Sequence, residues 1–170
     1  MDELAAMLGA PAEAPLPVDW RTVEERLGLR LPSDYKSVAD RYPAMFVNEF
    51  LRITHPACTA ANMNLLAESL ERTNATRELT LEFPDMHVYS VYPDPGGILC
   101  WGNTVNSDQC YWLTEGDPDE WCVVVGEEKG FCWTYDGNFS SFLLAAFSGD
   151  LDHSFYRDFT GALRSVEYVR

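Results

Sequence analysis

Along the first 60 residues the apolar positions fall at helical spacing twice. From Asp19 onward Trp20, Val23 and Leu27 share one face, and Gly28 stands where a left-handed residue closes a helix. A second helix is predicted in "LPSDYKSVADRYP", where Pro32 suits the first turn, Tyr35, Val38, Ala39 and Tyr42 recur at helical intervals, and Pro43 stops the run. The residues before Asp19 hold a short helix and then a Pro- and Ala-rich link, "APAEAPLP", that reads as a tether. "NEFLRIT" alternates as a strand does. A third helix is expected from Asn64, with Leu66, Leu70 and Thr73 along one side, running into a polar stretch before Leu79.

From His87 to Asp136 the period shortens. The runs "HVYSVY", "ILCWGNT", "DQCYWLT", "EWCVVV" and "FCWTY" are broken by Asp94-Pro95-Gly96-Gly97, Asn106-Ser107-Asp108, Gly116-Asp117-Pro118 and Glu128-Lys129-Gly130. No gap between them is long enough for the crossover helix of a parallel pair, so an antiparallel meander is predicted. A last helix follows, with Asn138 as N-cap, an apolar stripe of Phe139, Phe142, Leu143 and Ala146, and Gly149 at its end. The final twenty residues show no clear period. The expected fold class is α+β: an antiparallel twisted sheet with helices from both chain ends packed around it. Residues 1–17 are taken as an N-terminal extension and 18–170 as one domain.

Composition agrees with a packed domain, since 46% of the 170 residues are hydrophobic and 13% aromatic. Charge adds more. With 12 Lys and Arg against 27 Asp and Glu, the net charge of -15 repels nucleic acid and anionic membranes and favours a basic partner. No Lys or Arg lies between Arg77 and Lys129, a block that holds eleven acids: Glu78, Glu82, Asp85, Asp94, Asp108, Glu115, Asp117, Asp119, Glu120, Glu127 and Glu128. The polarity is regional.

Candidate chemistry is sparse. Cys58, Cys100, Cys110, Cys122 and Cys132 are an odd set amid apolar runs, which reads as reduced core thiols in a cytoplasmic protein. "MDELAAMLGA" has acids where a secretory signal carries bases, and no apolar run reaches the ~18 residues of a membrane span. Only His55-Pro56-Ala57-Cys58 approaches the close ligand pairing of structural zinc, so no metal or cofactor is expected. A Cys-His or Ser-His-Asp machine is assembled in space, so Cys58 or Cys110 with His55, His87 or His153 is a candidate nucleophile and base arrangement. The chain has no nucleophile elbow, phosphate loop or His-Glu-x-x-His, and no catalytic residue is assigned. Glu115, Asp117, Asp119 and Glu120 form an acidic turn that Pro118 makes unsuitable for calcium.

Aromatics accompany that turn. Trp101, Trp112 and Trp121 fall in the acidic block and Trp133 lies just past it, and tryptophan is over-represented at the centres of binding surfaces. Strand alternation puts Cys110 and Trp112 on one face and Tyr111 and Leu113 on the other, so one set needs a cover beyond the main core, either helices or a partner.

The order of these pieces resembles the SUKH superfamily. Leu27-Gly28, Leu31-Pro32, Tyr35-Lys36 and the stretch from Phe50 to Pro56 match the family's opening, and Gly102, Asn103, Asn106, Asp108 and Tyr111-Trp112 match its strand-turn-strand. The likeness spans about residues 19 to 149; "YPAMFVNEF" departs from it where members often have a glycine-rich turn. What the resemblance implies is a non-enzymatic α+β domain, in many bacterial members an immunity protein that neutralises a nuclease or deaminase toxin. Other relatives are regulatory scaffolds. The expected partner is therefore a basic toxin domain, bound by Asp108, Glu115, Asp117, Asp119 and Glu120, with whichever of Trp101, Trp112 or Trp121 is exposed as an anchor, and the alternative is a host protein. A monomer or weak dimer is expected.

Overall fold

The computed structural model describes residues 2–83, 89–126, 132–151 and 163–170. Helices α1 (Asp2–Leu8), α2 (Trp20–Leu27) and α3 (Ser33–Ala39) precede strands β1 (Ala44–Val47) and β2 (Leu51–Ile53). Helix α4 (Leu65–Glu82) leads to β3 (Ile98–Thr104), β4 (Gln109–Leu113), β5 (Val123–Gly126) and β6 (Cys132–Tyr135); α5 (Phe139–Ser148) and β7 (Val166–Val169) follow.

The helix boundaries have local causes. Asp19 accepts a hydrogen bond from the Thr22 amide at 3.2 Å, Asn64 from Ala67 at 3.1 Å and Asn138 from Ser141 at 3.0 Å, each satisfying a first-turn donor. Gly28 and Gly149 adopt φ of 78° and 81°, the left-handed turn-out at the C-termini of α2 and α5.

All strand pairs are antiparallel, in the order β6-β5-β4-β3-β2-β1-β7. The chain is therefore α+β, as the resemblance implies. One sheet face carries Leu99, Trp101, Cys110, Trp112, Val123 and Val125 and packs against Tyr35 of α3 and Phe139, Phe142 and Leu143 of α5 in the main core. The other face carries Ile98, Cys100, Tyr111 and Val124. Helix α4 covers it: Ser69 Oγ donates to the Cys100 carbonyl at 2.6 Å, and Thr76 Oγ1 lies 3.3 Å from the Tyr111 hydroxyl. The alternation read from Cys110 to Leu113 holds, and the cover for Tyr111 is a helix.

A β-bulge decides what the centre of the sheet presents. Cys100 pairs with Tyr111, but Gly102 pairs with Cys110, so Trp101 is the extra residue on β3. The extra residue shifts the alternation by one, and Asn103 turns away from the aromatic core toward α4. There its Nδ2 donates to Glu68 Oε2 at 3.0 Å, while Arg72 Nε reaches the same oxygen at 3.2 Å. Glu68 is 3% exposed, so α4 meets the sheet through a paired, buried carboxylate.

Several expectations need correction. "NEFLRIT" is not one strand: Asn48 and Glu49 have φ of 53° and 56°, making a tight turn between β1 and β2. The Asn48 side chain accepts amide hydrogen bonds from Arg164 and Ser165 at 2.8 and 3.1 Å, which holds β7 against β1. Leu70 is 57% exposed; the inward face of α4 is Leu65, Leu66, Ser69 and Thr73, because the sheet there offers polar partners. The helix also continues past Leu79 to Glu82. In "HVYSVY", His87 and Val88 lie outside the described residues, and Val91 makes a single bridge to Ile98 beside a turn. Ahead of the Pro- and Ala-rich link, Leu4 and Leu8 of the short helix α1 enter the main core, and Tyr42 Oη donates to the Gly9 carbonyl at 3.0 Å.

Candidate functional site

In an antiparallel meander alternate turns fall at the same end, and the register here brings three connections together. Ile98 pairs with Leu113, Trp112 with Val123, and Val123 with Tyr135. The turn before β3, the loop from β4 to β5 and the exit of β6 thus share one end of the sheet. That end carries Asp94, Glu115, Asp117, Asp119, Glu120 and Asp136, all exposed. Four of the expected partner-binding acids are in this group. Asp108 is not: it lies at the opposite end, in the turn joining β3 to β4, where its Oδ2 accepts from Thr104 Oγ1 at 2.8 Å.

The acidic loop is anchored to the helices. Asp117 accepts the Asp119 amide at 3.1 Å and starts a 3-10 turn over Pro118–Glu120. Asp119 Oδ1 accepts the backbone amide of Ser33 at 2.6 Å, and this bond holds its carboxyl below the usual carboxylate range. Arg30 Nη2 lies 3.4 Å from Asp117 Oδ2, both largely exposed. A block with no bases in sequence is thus partly answered in space, although an exposed pair of this kind contributes little.

The exposure that a tryptophan anchor requires is absent at all three candidates. Trp101 and Trp112 are 0% exposed and Trp121 is 5% exposed, so none reaches a partner while the domain is folded. Their face of the sheet is the one α3 and α5 cover: Tyr35 lies edge-on to Trp112 at 5.0 Å and Phe139 edge-on to Trp101 at 4.9 Å between ring centroids. Their three indole N–H groups are buried without an oxygen or nitrogen acceptor, so each carries the cost of an unmade hydrogen bond.

Apolar surface at the acidic end comes from residues not anticipated. Tyr89, Ser90, Pro95, Gly96, Leu113, Thr114, Glu115 and Gly116 line an open cleft of about 590 Å³. Its walls are fixed, since Tyr89 Oη lies 2.5 Å from Thr134 Oγ1 and Thr114 Oγ1 donates to the Gly97 carbonyl at 2.6 Å. A signal for it existed: the Asp94-Pro95-Gly96-Gly97 and Gly116-Asp117-Pro118 breaks are two strands apart and so face the same way.

The titratable groups considered for catalysis are occupied. His55 is 3% exposed; its Nε2–H donates to the Ala39 carbonyl at 2.9 Å and its Nδ1 accepts the Ala57 amide at 3.1 Å. Neither nitrogen is left to act as a base toward Cys58. Burial pushes the Cys100 thiol up to about 12 and Cys110 well above its ordinary value, so neither is a ready nucleophile. His87 and His153 lie outside the described residues. Among the described residues, no group of three or more His, Cys, Asp or Glu is placed to hold a metal, and no helix is long and apolar enough to cross a membrane.

A family model described as SMI1-KNR4 cell-wall (SUKH_6) matches the chain over residues 18–143. No curated protein and no solved structure matches the chain.

Proposed function

We propose, from the premise that the chain belongs to the SUKH superfamily, that it is a protein-binding module: a cytoplasmic immunity protein that occludes a basic toxin domain. The superfamily includes toxin-immunity proteins and is generally immunity or regulatory in role rather than enzymatic. The observation that supports this reading is the gathering of Asp94, Glu115, Asp117, Asp119, Glu120 and Asp136 at one end of the sheet. Nucleases and deaminases that act on nucleic acid need basic clefts, and a concentrated negative field both attracts such a cleft over distance and competes for it once docked. The buried tryptophans leave affinity to charge, backbone and smaller apolar contacts at that end.

A second reading, a regulatory scaffold on a host protein, rests on the same family membership, whose roles are immunity or regulatory. One experiment addresses both. Salt-sensitive capture from the native cell identifies the partner, and the triple variant Glu115→Lys, Glu120→Lys, Asp136→Lys is then compared with the parent protein. These three positions carry the field without the capping roles of Asp117 and Asp119. A toxin partner whose association slows about tenfold or more, with a flatter salt dependence, supports the immunity reading. A partner with no toxin activity favours the scaffold. Unchanged binding by a folded triple variant would falsify the acidic end as the docking surface.

A further inference from the structure

The cleft beside the acidic loop has a more specific occupant than a general field requires. Helix α4 covers Tyr111 but not all of that sheet face, and Leu113 at the end of β4 remains half-buried with the half-buried Tyr89 packed against the same cluster. Pro95 completes an apolar wall, and Glu115 is the carboxylate among the lining residues. An aromatic ring, aliphatic surface and one exposed carboxylate match a long side chain that is apolar along its stem and cationic at its tip. Lysine presents a strongly hydrated point charge; arginine's planar group stacks on aromatic surface while forking onto a carboxylate. A volume of about 590 Å³ leaves room for such a side chain and the backbone that carries it.

We infer that this cleft is an arginine-recognition subsite, in which the guanidinium of a basic partner protein pairs with Glu115 while its stem lies against Tyr89, Pro95 and Leu113. The inference rests on the acidic-end reading above and adds a location and a residue type to it. Charge complementarity selects the occupant: the cleft opens at the end of the sheet with six exposed carboxylates, where an anionic or neutral apolar segment is disfavoured. Specificity then comes from shape and pairing, which long-range, non-directional attraction cannot supply.

The test uses the full chain and two peptides, hexa-arginine and the uncharged isostere hexa-citrulline, followed by amide NMR at low ionic strength. Hexa-arginine is expected to shift the amides of Gly96, Leu113, Thr114 and Gly116 most, and hexa-citrulline is expected to bind about tenfold more weakly or worse. Glu115→Gln should weaken hexa-arginine binding about fivefold, whereas Glu120→Gln, at the same end but outside the cleft, should change it about twofold or less. Equal weakening by the two variants, with shifts spread over all the acidic positions, overturns the subsite and leaves the acidic end intact. Absence of hexa-arginine binding at low ionic strength overturns both readings.

Discussion

Asp119 Oδ1 accepts the backbone amide of Ser33 at 2.6 Å, across 86 residues of chain. Pro32, at the N-cap position of α3, has no side-chain acceptor for the first turn, and a carboxylate from the acidic loop supplies one. Asp119→Ala is therefore expected to speed hydrogen exchange in the first turn of α3 and to loosen the loop that also carries Asp117. Because the bond lowers the carboxyl's pKa, its contribution is present above the unfolded value of 3.8 and is lost as pH falls through the lower folded value. Equal exchange rates at Ser33 in parent and variant would refute the capping role.

Gly102 lies where the β2–β3 ladder leaves no space. A Cβ built there would stand 2.5 Å from the Arg52 carbonyl oxygen, a backbone atom that moves only if the strands part. Gly102→Ala is expected to cost about 2 kcal/mol in urea unfolding. The damage should reach the bulge at Trp101 and hence the direction of Asn103.

The Glu68 network predicts an asymmetry. Glu68 is 3% exposed at its side chain, whereas Arg72 is 35% exposed. Arg72→Met leaves the carboxylate buried beside Asn103 without its ion-pair partner and should cost about 3 kcal/mol. Glu68→Gln keeps the shape and the bond from Asn103 and lets Arg72 turn to water, so about 1 kcal/mol is expected. Denaturant titration of both variants decides the order, and a larger loss for Glu68→Gln would contradict it.

His55 makes the fold sensitive to mild acid. The Ala57 amide donates to Nδ1, so the ring fits its site only when neutral, and burial lowers its pKa below the ordinary imidazole value of 6.5. The unfolded chain then binds this proton more readily than the folded one. Stability from this group is complete above about pH 6.5 and is lost as pH falls toward the lowered folded value, at a slope of at most about 1.4 kcal/mol per pH unit. Urea midpoints measured from about pH 7.5 to 5.5 should show this slope in the parent and lose it in His55→Asn. Identical slopes would assign the effect elsewhere.

Much of this was legible in the chain. Helices begin at Asp19 and Asn64 as their spacing predicts, Asn138 caps the last, Gly28 and Gly149 end their helices, and the faces of Cys110 to Leu113 follow from alternation alone. Leu70 was misplaced because helical spacing identifies a stripe but not what it faces, and here the inward stripe carries Glu68 and Ser69.

The sequence by itself determined both ends of α2 and α5, the meander and the surplus of acids, since each depends on residues a few positions apart or on a sum. Only the tertiary structure decided which faces were covered. Trp101 and Trp112 are buried because α3 and α5, distant in sequence, close over their side of the sheet. Arg30 meets Asp117 across 87 residues, and β7 chooses the β1 edge, through contacts that no local pattern encodes. Packing is a competition among all apolar faces of the chain at once, so the surface left for a partner is what remains after that competition ends.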